Sequence, residues 1–458
     1  MHDLRKKVLV QSGKTQSRKA RAREDPRPKS SDPTDSNKSP GSSPRASPNS
    51  SRAGSRANSR PGSRYASENE SDSDEFFGTV DSESGFDSDD DDLEDREWMA
   101  RLRMRMTQLQ DYRKTSASER ELTNTSYLHL IRNYFTRDQI DGCVNGTIFP
   151  ALLNSIERGA SEKEVLTALN ALSVTLISSP SETVFERAFK ALKVVCEESE
   201  HEKVKVAAMN ALAIALAFEG GMQPDIEEVL DFLLGIVESD GQSVGAEDNG
   251  AVVSGALRAW GCAASYLEDL AETTEDGRAM DAFMEQLDST DADVQIAAGY
   301  NIAHLFEAAR NSSGADLQHN QHIALTRMHE IVKYWTKRTS KKDRRALRDE
   351  FPGIIISIEK GVGPGYAENG RLVVTKELEA PANKHAAYLD DMSHLGLQRK
   401  ERVLEGGSRI IDSWKCHARL EVLKQVLVGG MDLHWRVNPA VQAALWRPTR
   451  RNVDSQER

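Results

Sequence analysis

The sequence has no run of about 18 apolar residues, so no helix long and apolar enough to cross a membrane is expected. Met1 to Lys7 is charged and no apolar stretch follows it, which argues against a secretory signal. Cysteine is scarce. Cys143, Cys196, Cys262 and Cys416 lie far apart with no C-x-x-C pair, the pattern of buried reduced thiols in cytosol or nucleus rather than of a disulfide or metal framework. Apolar residues make up only 38% of the chain, as expected of a normal core diluted by unfolded sequence.

The signatures of catalysis are missing as well. There is no H-E-x-x-H, no G-x-S-x-G elbow and no P-loop, and histidines have no ligand spacing; His319 and His322 are expected to flank a loop. In IIISIEKGVGPGYAENG a strand-like apolar run precedes Gly361, Gly363 and Gly365. The third glycine of a dinucleotide fingerprint would fall on Tyr366, however, so a flexible loop is expected there. Nothing assembles a nucleophile, a base and an oxyanion site. The expectation is a binding protein and not an enzyme, with no cofactor, metal, small-molecule substrate or membrane partner.

What the chain does have is segregated charge. Residues 1–30 carry ten Lys or Arg against three Asp or Glu, and residues 68–97 carry fifteen acidic residues against one Arg. Between them, residues 30–67 are Ser, Pro, Arg, Asn and Gly. That composition buries too little surface to offset roughly 1–2 kcal/mol of backbone entropy per residue, so a disordered arm is expected. Arg52, Arg56, Arg60 and Arg64 each stand three residues before a serine (Ser55, Ser59, Ser63, Ser67), the spacing that basophilic kinases read. Ser39, Ser43 and Ser47 precede prolines. Phosphates on the Arg-Ser stretch would invert its sign. The basic start fits nuclear import, a phosphate-backbone contact or a solvated tail. The acidic block, with Phe76, Phe77 and Phe86, fits a docking segment or a shield for a basic surface.

From Trp98 the period becomes helical. WMARLRMRMTQLQDYRK places Trp98, Leu102, Met106 and Leu109 on one stripe, and the next segment opens with a Ser/Glu start before Leu122, Leu128, Ile131 and Phe135. Four variants of one amphipathic helix follow, beginning near Glu164, Val204, Val252 and Val294 and spaced by 40, 48 and 42 residues. Other helices lie between them, and Ser161, Ser181, Asp225 and Asp291 are expected at helix starts. A period of about 40–48 residues with two or three helices per unit is a HEAT or armadillo signature, whose open groove commonly serves binding. The fold class expected is an all-α, armadillo/HEAT-like helical-repeat solenoid with a short helical C-terminal domain and a disordered N-terminal arm. Its segments are an arm over 1–92, repeats over 93–360, a linker over 361–383, a C-terminal helical domain over 384–446 and a tail over 447–458.

One segment of the folded part is strongly basic. On a helix through Lys341–Glu350, Lys341, Arg344, Arg345 and Arg348 share one side, with Lys342 beside them. This is either a patch for phosphate or an acidic partner, or a solvated face bridged by Asp343, Asp349 and Glu350. Residues 399–451 are also net basic and rich in tryptophan. Trp414, Lys415, Arg419, His434, Arg436 and Asn438 are the partner- or RNA-binding candidates there, although Trp and Arg serve equally in cores.

SKKDRRALRDEF together with IDSWKCHARLEVLKQVLVGGMDLHWRVNPAV resembles the interferon-related developmental regulator family, over about residues 95–446. The matching positions are Lys341, Lys342, Asp343, Arg344, Arg348 and Phe351, then Trp414, Leu423, Leu427, Gly430, His434 and Asn438. The resemblance implies a non-enzymatic regulator, cytoplasmic, nuclear or both. One implied setting is translation regulation through idle ribosomes and rRNA, with the solenoid on tRNA-side sites and the C-terminal helix near the mRNA path. The alternative is a nuclear transcriptional co-regulator that holds protein partners. One departure is Val437-Asn438-Pro439-Ala440, where Pro439 restarts the helix that ends the family pattern.

Overall fold

The computed structural model describes residues 91–111, 114–180, 185–219, 222–312, 318–334, 340–361 and 413–445. Between these last two stretches it also describes 363–364, 367–368, 371–372, 399–402 and 408–411. The chain divides into Met1–Glu83 and Ser84–Arg458. The first unit lies wholly outside the described residues, and with it Ser55, Ser59, Ser63, Ser67 and most of the expected arm.

The second unit is built from helix pairs. Helix α1 (Asp91–Gln110) packs on α2 (Ala117–Asn133). After the short α3 (Arg137–Ile140), α4 (Phe149–Arg158) pairs with α5 (Glu162–Ser178), and α6 (Phe185–Glu198) with α7 (Glu202–Glu219). Then α8 (Gln223–Glu238) pairs with α9 (Gly250–Ala264). A short α10 (Leu270–Thr273) leads to α11 (Arg278–Gln286) with α12 (Ala292–Asn311), and α13 (Gln318–Tyr334) with α14 (Lys341–Lys360). The second members also pack on one another in order, α2 on α5, then α7, α9, α12 and α14, as one continuous row. The first members make a looser second layer. The architecture is therefore the expected all-α array of armadillo/HEAT-like two-helix repeats.

The four related segments found by their spacing are α5, α7, α9 and α12. Their small residues explain the tight row. Ala168, Ala171, Ala208, Ala211, Ala256, Ala259, Ala298 and Ala303 are all fully buried, so backbones approach closely where bulkier side chains would hold them apart. Helix starts follow the capping expectation. Glu119 N–H donates to Ser116 Oγ (3.3 Å) while Ser116 N–H donates to Glu119 Oε2 (2.8 Å), a reciprocal capping box. Ser161 and Asp291 cap α5 and α12, and Asp225 accepts from Met222 N–H at the start of α8. Ser181 lies outside the described residues.

Trp98, Leu102, Met106 and Leu109 are buried along α1 as the stripe required. In α2, Leu128 and Ile131 are buried but Leu122 is 51% exposed. The buried face runs instead through Tyr127, whose hydroxyl hydrogen-bonds Thr175 on α5 at 3.0 Å. The same pair of helices is clamped by Arg120, which donates to both oxygens of the fully buried Glu164 (2.6 and 3.1 Å).

Two local expectations are overturned. The apolar run before Gly361 is the second half of α14 and not a strand, because Leu347, Phe351, Ile354, Ile355 and Ile358 repeat with a helical period and are buried. Gly361 ends that helix in the left-handed conformation (φ 66°). His319 and His322 fall inside α13, not at a loop. Two small antiparallel hairpins follow, β1 (Ala367–Glu368) with β2 (Arg371–Leu372) and β3 (Arg399–Arg402) with β4 (Ser408–Ile411). The chain then closes with α15 (Trp414–Leu427), α16 (Met431–Val437) and α17 (Pro439–Leu445). Pro439 does restart a helix, and Ala440 N–H donates to Asn438 Oδ1 (2.9 Å) at its beginning.

Candidate partner interface

The C-terminal helices lie against the continuous row of second members and belong to the same unit as the repeats. Helix α15 touches α5, α7, α9 and α12, while α16 reaches α2 and α17 reaches α5. None of the fourteen residues of α15 is exposed. Such all-round coverage marks a core helix rather than a surface one. The row's open face, where a solenoid commonly receives its partners, is thus occupied by the chain itself along these helices.

Polar contacts explain why this segment docks where it does, since most of them satisfy groups at helix ends. His434 Nε2–H donates to the Ile131 carbonyl (3.1 Å) at the end of α2. Its Nδ1 accepts from the Asn438 amide (3.2 Å), which also donates to the Ile177 carbonyl (3.0 Å) at the end of α5. This set of partners requires one neutral tautomer, and burial holds the His434 imidazole below its ordinary pKa. Arg419 donates to the Ser265 carbonyl (2.6 Å) and Oγ (2.8 Å) just past α9, and to the Ala444 carbonyl (3.0 Å). Its guanidinium also lies 3.9 Å from the centre of the Tyr266 ring.

Contacts run the other way as well. Arg132 Nε–H donates to the Val426 carbonyl (3.0 Å) at the end of α15. Burial lowers the Arg132 pKa to about 10. The Glu307 carboxylate accepts from the Trp414 and Lys415 N–H groups (2.8 and 3.3 Å), placing negative charge at the start of α15. The Trp414 indole donates to Ser357 Oγ (2.6 Å) and stacks on His417. Gly430 is dictated by approach: a Cβ there would stand 2.2 Å from the Arg132 carbonyl oxygen.

These facts correct part of the sequence reading. Trp414, His434 and Asn438 are buried, and Arg419 spends its guanidinium on the chain's own carbonyls, so none of the four is presented to a partner in this arrangement. Lys415 is half-buried beside them, and Arg436 is exposed on α16. The signal was available, because Trp, His and Asn at helical spacing in a segment of low polarity are more economically core than surface.

The basic segment has the opposite character. Lys341, Lys342, Arg344, Arg345 and Arg348 are all exposed, and of the first ten residues of α14 only Leu347 is buried. Arg345 and Arg348 bridge to Asp349 (3.7 and 3.1 Å), surface pairs of little energetic consequence. Among the described residues no carboxylate lies within ion-pair distance of Lys341, Lys342 or Arg344. Both readings of this stripe are therefore partly realised: its last turn is salt-bridged and its first turn is open. Ser340 caps the helix by accepting from Asp343 N–H (3.1 Å), which puts Lys341 and Lys342 in the first turn, beside the positive end of the helix dipole. Cations are unfavourable there. The family-like segment thus divides by burial: its Phe351 is core, fully buried, and its Lys and Arg residues are surface.

None of the four cysteines forms a disulfide. Burial pushes Cys196 and Cys262 up to about 12, which leaves them protonated and unreactive. Among the described residues no group of three or more His, Cys, Asp or Glu is placed to hold a metal, and no helix is long and apolar enough to cross a membrane.

The family model described as Interferon-related developmental regulator matches residues 63–359, a span that takes in the repeats through α14 and stops before α15. An uncharacterized protein of Schizosaccharomyces pombe is 28% identical over 291 residues, covering 57% of this chain and 62% of that relative, so the match spans about three fifths of the relative's length. Among solved structures, an engineered protein aligns at 16% identity with a TM-score of 0.37, covering 57% of this chain and 97% of the other. A designed armadillo repeat protein aligns at 13% identity with a TM-score of 0.32, covering 51% and 94%.

Proposed function

We propose, from the premise that this chain belongs to the interferon-related developmental regulator family, that it is a non-catalytic regulatory adaptor that grips an RNA-rich assembly, the idle ribosome. The premise supports the coarser part, a regulatory helical-repeat protein. The finer part rests on one observation, the open cationic first turn of α14. Lys341, Lys342 and Arg344 stand exposed with no carboxylate partner among the described residues, in a position where helix electrostatics disfavours them. Residues that oppose their local structure are commonly kept for a ligand. A polyanion is the ligand that suits them, since phosphate binding releases counterions and needs only a local positive field, whatever the net charge of -12. The competing role, a nuclear scaffold that holds protein partners, is less favoured because α15 packs along α5, α7, α9 and α12, where such partners would otherwise dock.

The test is sedimentation of the full chain with 80S ribosomes across a salt series. Wild type co-sediments at low salt and is released as salt rises. The triple variant Lys341→Glu/Lys342→Glu/Arg344→Glu loses most of that association, and the slope of log affinity against log salt falls by roughly one per contact removed. Sedimentation identical for both proteins would remove the basis for an RNA partner at this surface.

A further inference from the structure

We propose that Ser340 is a phosphorylation site for a basophilic serine/threonine kinase, and that its phosphate switches off the cationic surface of α14. The inference deepens the reading above and rests on it for its functional consequence. Three observations converge on this one side chain. The sequence before it reads Lys337-Arg338-Thr339-Ser340, with basic residues three and two positions ahead of the acceptor, the same recognition chemistry as the Arg-Ser stretch of the arm. Ser340 is exposed and its backbone is extended (φ -60°, ψ 161°), outside the helix it caps, so the hydroxyl is presented rather than packed. Among the described residues its hydroxyl has one hydrogen bond, as an acceptor from Asp343 N–H, a role that a phosphate oxygen takes over without rearrangement.

The step itself is ordinary phosphoryl transfer. The Ser340 Oγ attacks the γ-phosphorus of a nucleoside triphosphate, an Oγ–P bond forms, and the bond from the γ-phosphorus to the β,γ-bridging oxygen breaks. Nucleoside diphosphate leaves, and the hydroxyl proton passes to the kinase's catalytic carboxylate.

The electrostatic consequence follows from the immediate surroundings. The first turn carries three cations, Lys341, Lys342 and Arg344, and one carboxylate, Asp343. A phosphoserine adds about -1.5 to -2 charge, which brings this turn from net positive to near neutral. It also places a dianion at the positive end of the helix dipole, where unmodified α14 has two lysines instead. The modification therefore stabilises the helix start while it removes the reason for a polyanion to bind there. Ser55, Ser59, Ser63 and Ser67, the basophilic candidates of the arm, lie outside the described residues, so nothing structural ties their phosphates to this surface.

The experiment uses the full chain, the catalytic subunit of a basophilic kinase, ATP, and a 20-base-pair RNA duplex as probe. Mass spectrometry locates the phosphates, and duplex affinity is measured over a salt series. Phosphate is expected on Ser340. The slope of log affinity against log salt is expected to fall by about 1.5 to 2, and affinity near 0.1 M salt by about tenfold. Ser340→Asn keeps a competent N-cap and removes the acceptor. Its duplex binding before treatment should equal wild type, and kinase treatment should leave its slope unchanged even though the arm serines are still phosphorylated. Efficient phosphorylation of those serines with none on Ser340 overturns the proposal. So does full Ser340 phosphorylation without weaker binding, provided Lys341→Glu/Lys342→Glu/Arg344→Glu does weaken it. Should that triple variant bind the duplex like wild type, the RNA reading beneath is what fails, and the switch fails with it.

Discussion

The two segments that carry the family-like residues, the start of α14 and the helices α15 to α17, differ in where they direct their polar groups. The C-terminal segment turns inward. Its Trp414, Arg419, His434 and Asn438 are matched to carbonyls and hydroxyls at the ends of the repeat helices. The start of α14 turns outward, with three cations that no described carboxylate answers. The first pattern is what a fold needs and the second is what a fold tolerates. A motif read from sequence mixes the two kinds of residue, and burial together with hydrogen-bond partners separates them.

Perturbing the inward segment should be costly. Trp414→Ala removes a buried indole and its hydrogen bond to Ser357, so an unfolding free energy lower by about 3–5 kcal/mol is expected in urea titrations. A loss below about 1 kcal/mol would mean that α15 is a detachable ligand of the row rather than part of it. Gly430→Ala forces a methyl group against the Arg132 carbonyl and should cost about 1–3 kcal/mol, measured the same way. If it were neutral, the turn between α15 and α16 would have room that the contact denies it.

Acid should act on the inward segment selectively. His304, on α12, is pushed down to about 3, first by burial and then by Lys415 and Arg419 across the contact, and its Nδ1 has no hydrogen-bond partner among the described residues. His434 is shifted the same way by burial. A histidine whose folded pKa is depressed contributes stability that is complete above its unfolded value, near 6.5. That contribution declines as pH falls towards the folded value, by at most about 1.4 kcal/mol per pH unit. Between pH 6.5 and 5 the unfolding free energy should fall, and His304→Leu should flatten the slope. An equal slope in that variant would put the proton uptake elsewhere.

The repeats were legible because they are written in periodicity. Small and large apolar residues recurring every 40 to 48 positions mark out α5, α7, α9 and α12 in the sequence itself. The row has two further members, α2 and α14, which lack the alanine-rich centre. α2 buries Thr123, Asn124 and Tyr127, and α14 begins in a basic run, so neither resembles its neighbours. The basic stripe was legible as a stripe because helical spacing fixes which side chains share a face. The fate of the C-terminal residues was not. Whether an Arg or a Trp faces a partner or its own chain depends on carbonyls some 150 to 300 positions away in sequence, such as Ser265 for Arg419 and Ile131 for His434. No local pattern encodes those distances.

The smallest effect draws the distinction most sharply. Lys341→Glu/Lys342→Glu replaces two cations in the first turn of α14 by carboxylates, which the helix dipole favours, so stability should rise by about 0.3–1 kcal/mol. The same variant should bind RNA more weakly. Trp414→Ala should do the reverse, with stability lost and duplex affinity kept under conditions where the chain remains folded. Residues kept for their own fold cannot be improved upon by inverting their charge, whereas residues kept for a ligand can. If Lys341→Glu/Lys342→Glu lowered the unfolding free energy by more than about 1 kcal/mol, beyond the range usual for surface substitutions, the two lysines would belong with Trp414 and His434 as parts of the scaffold.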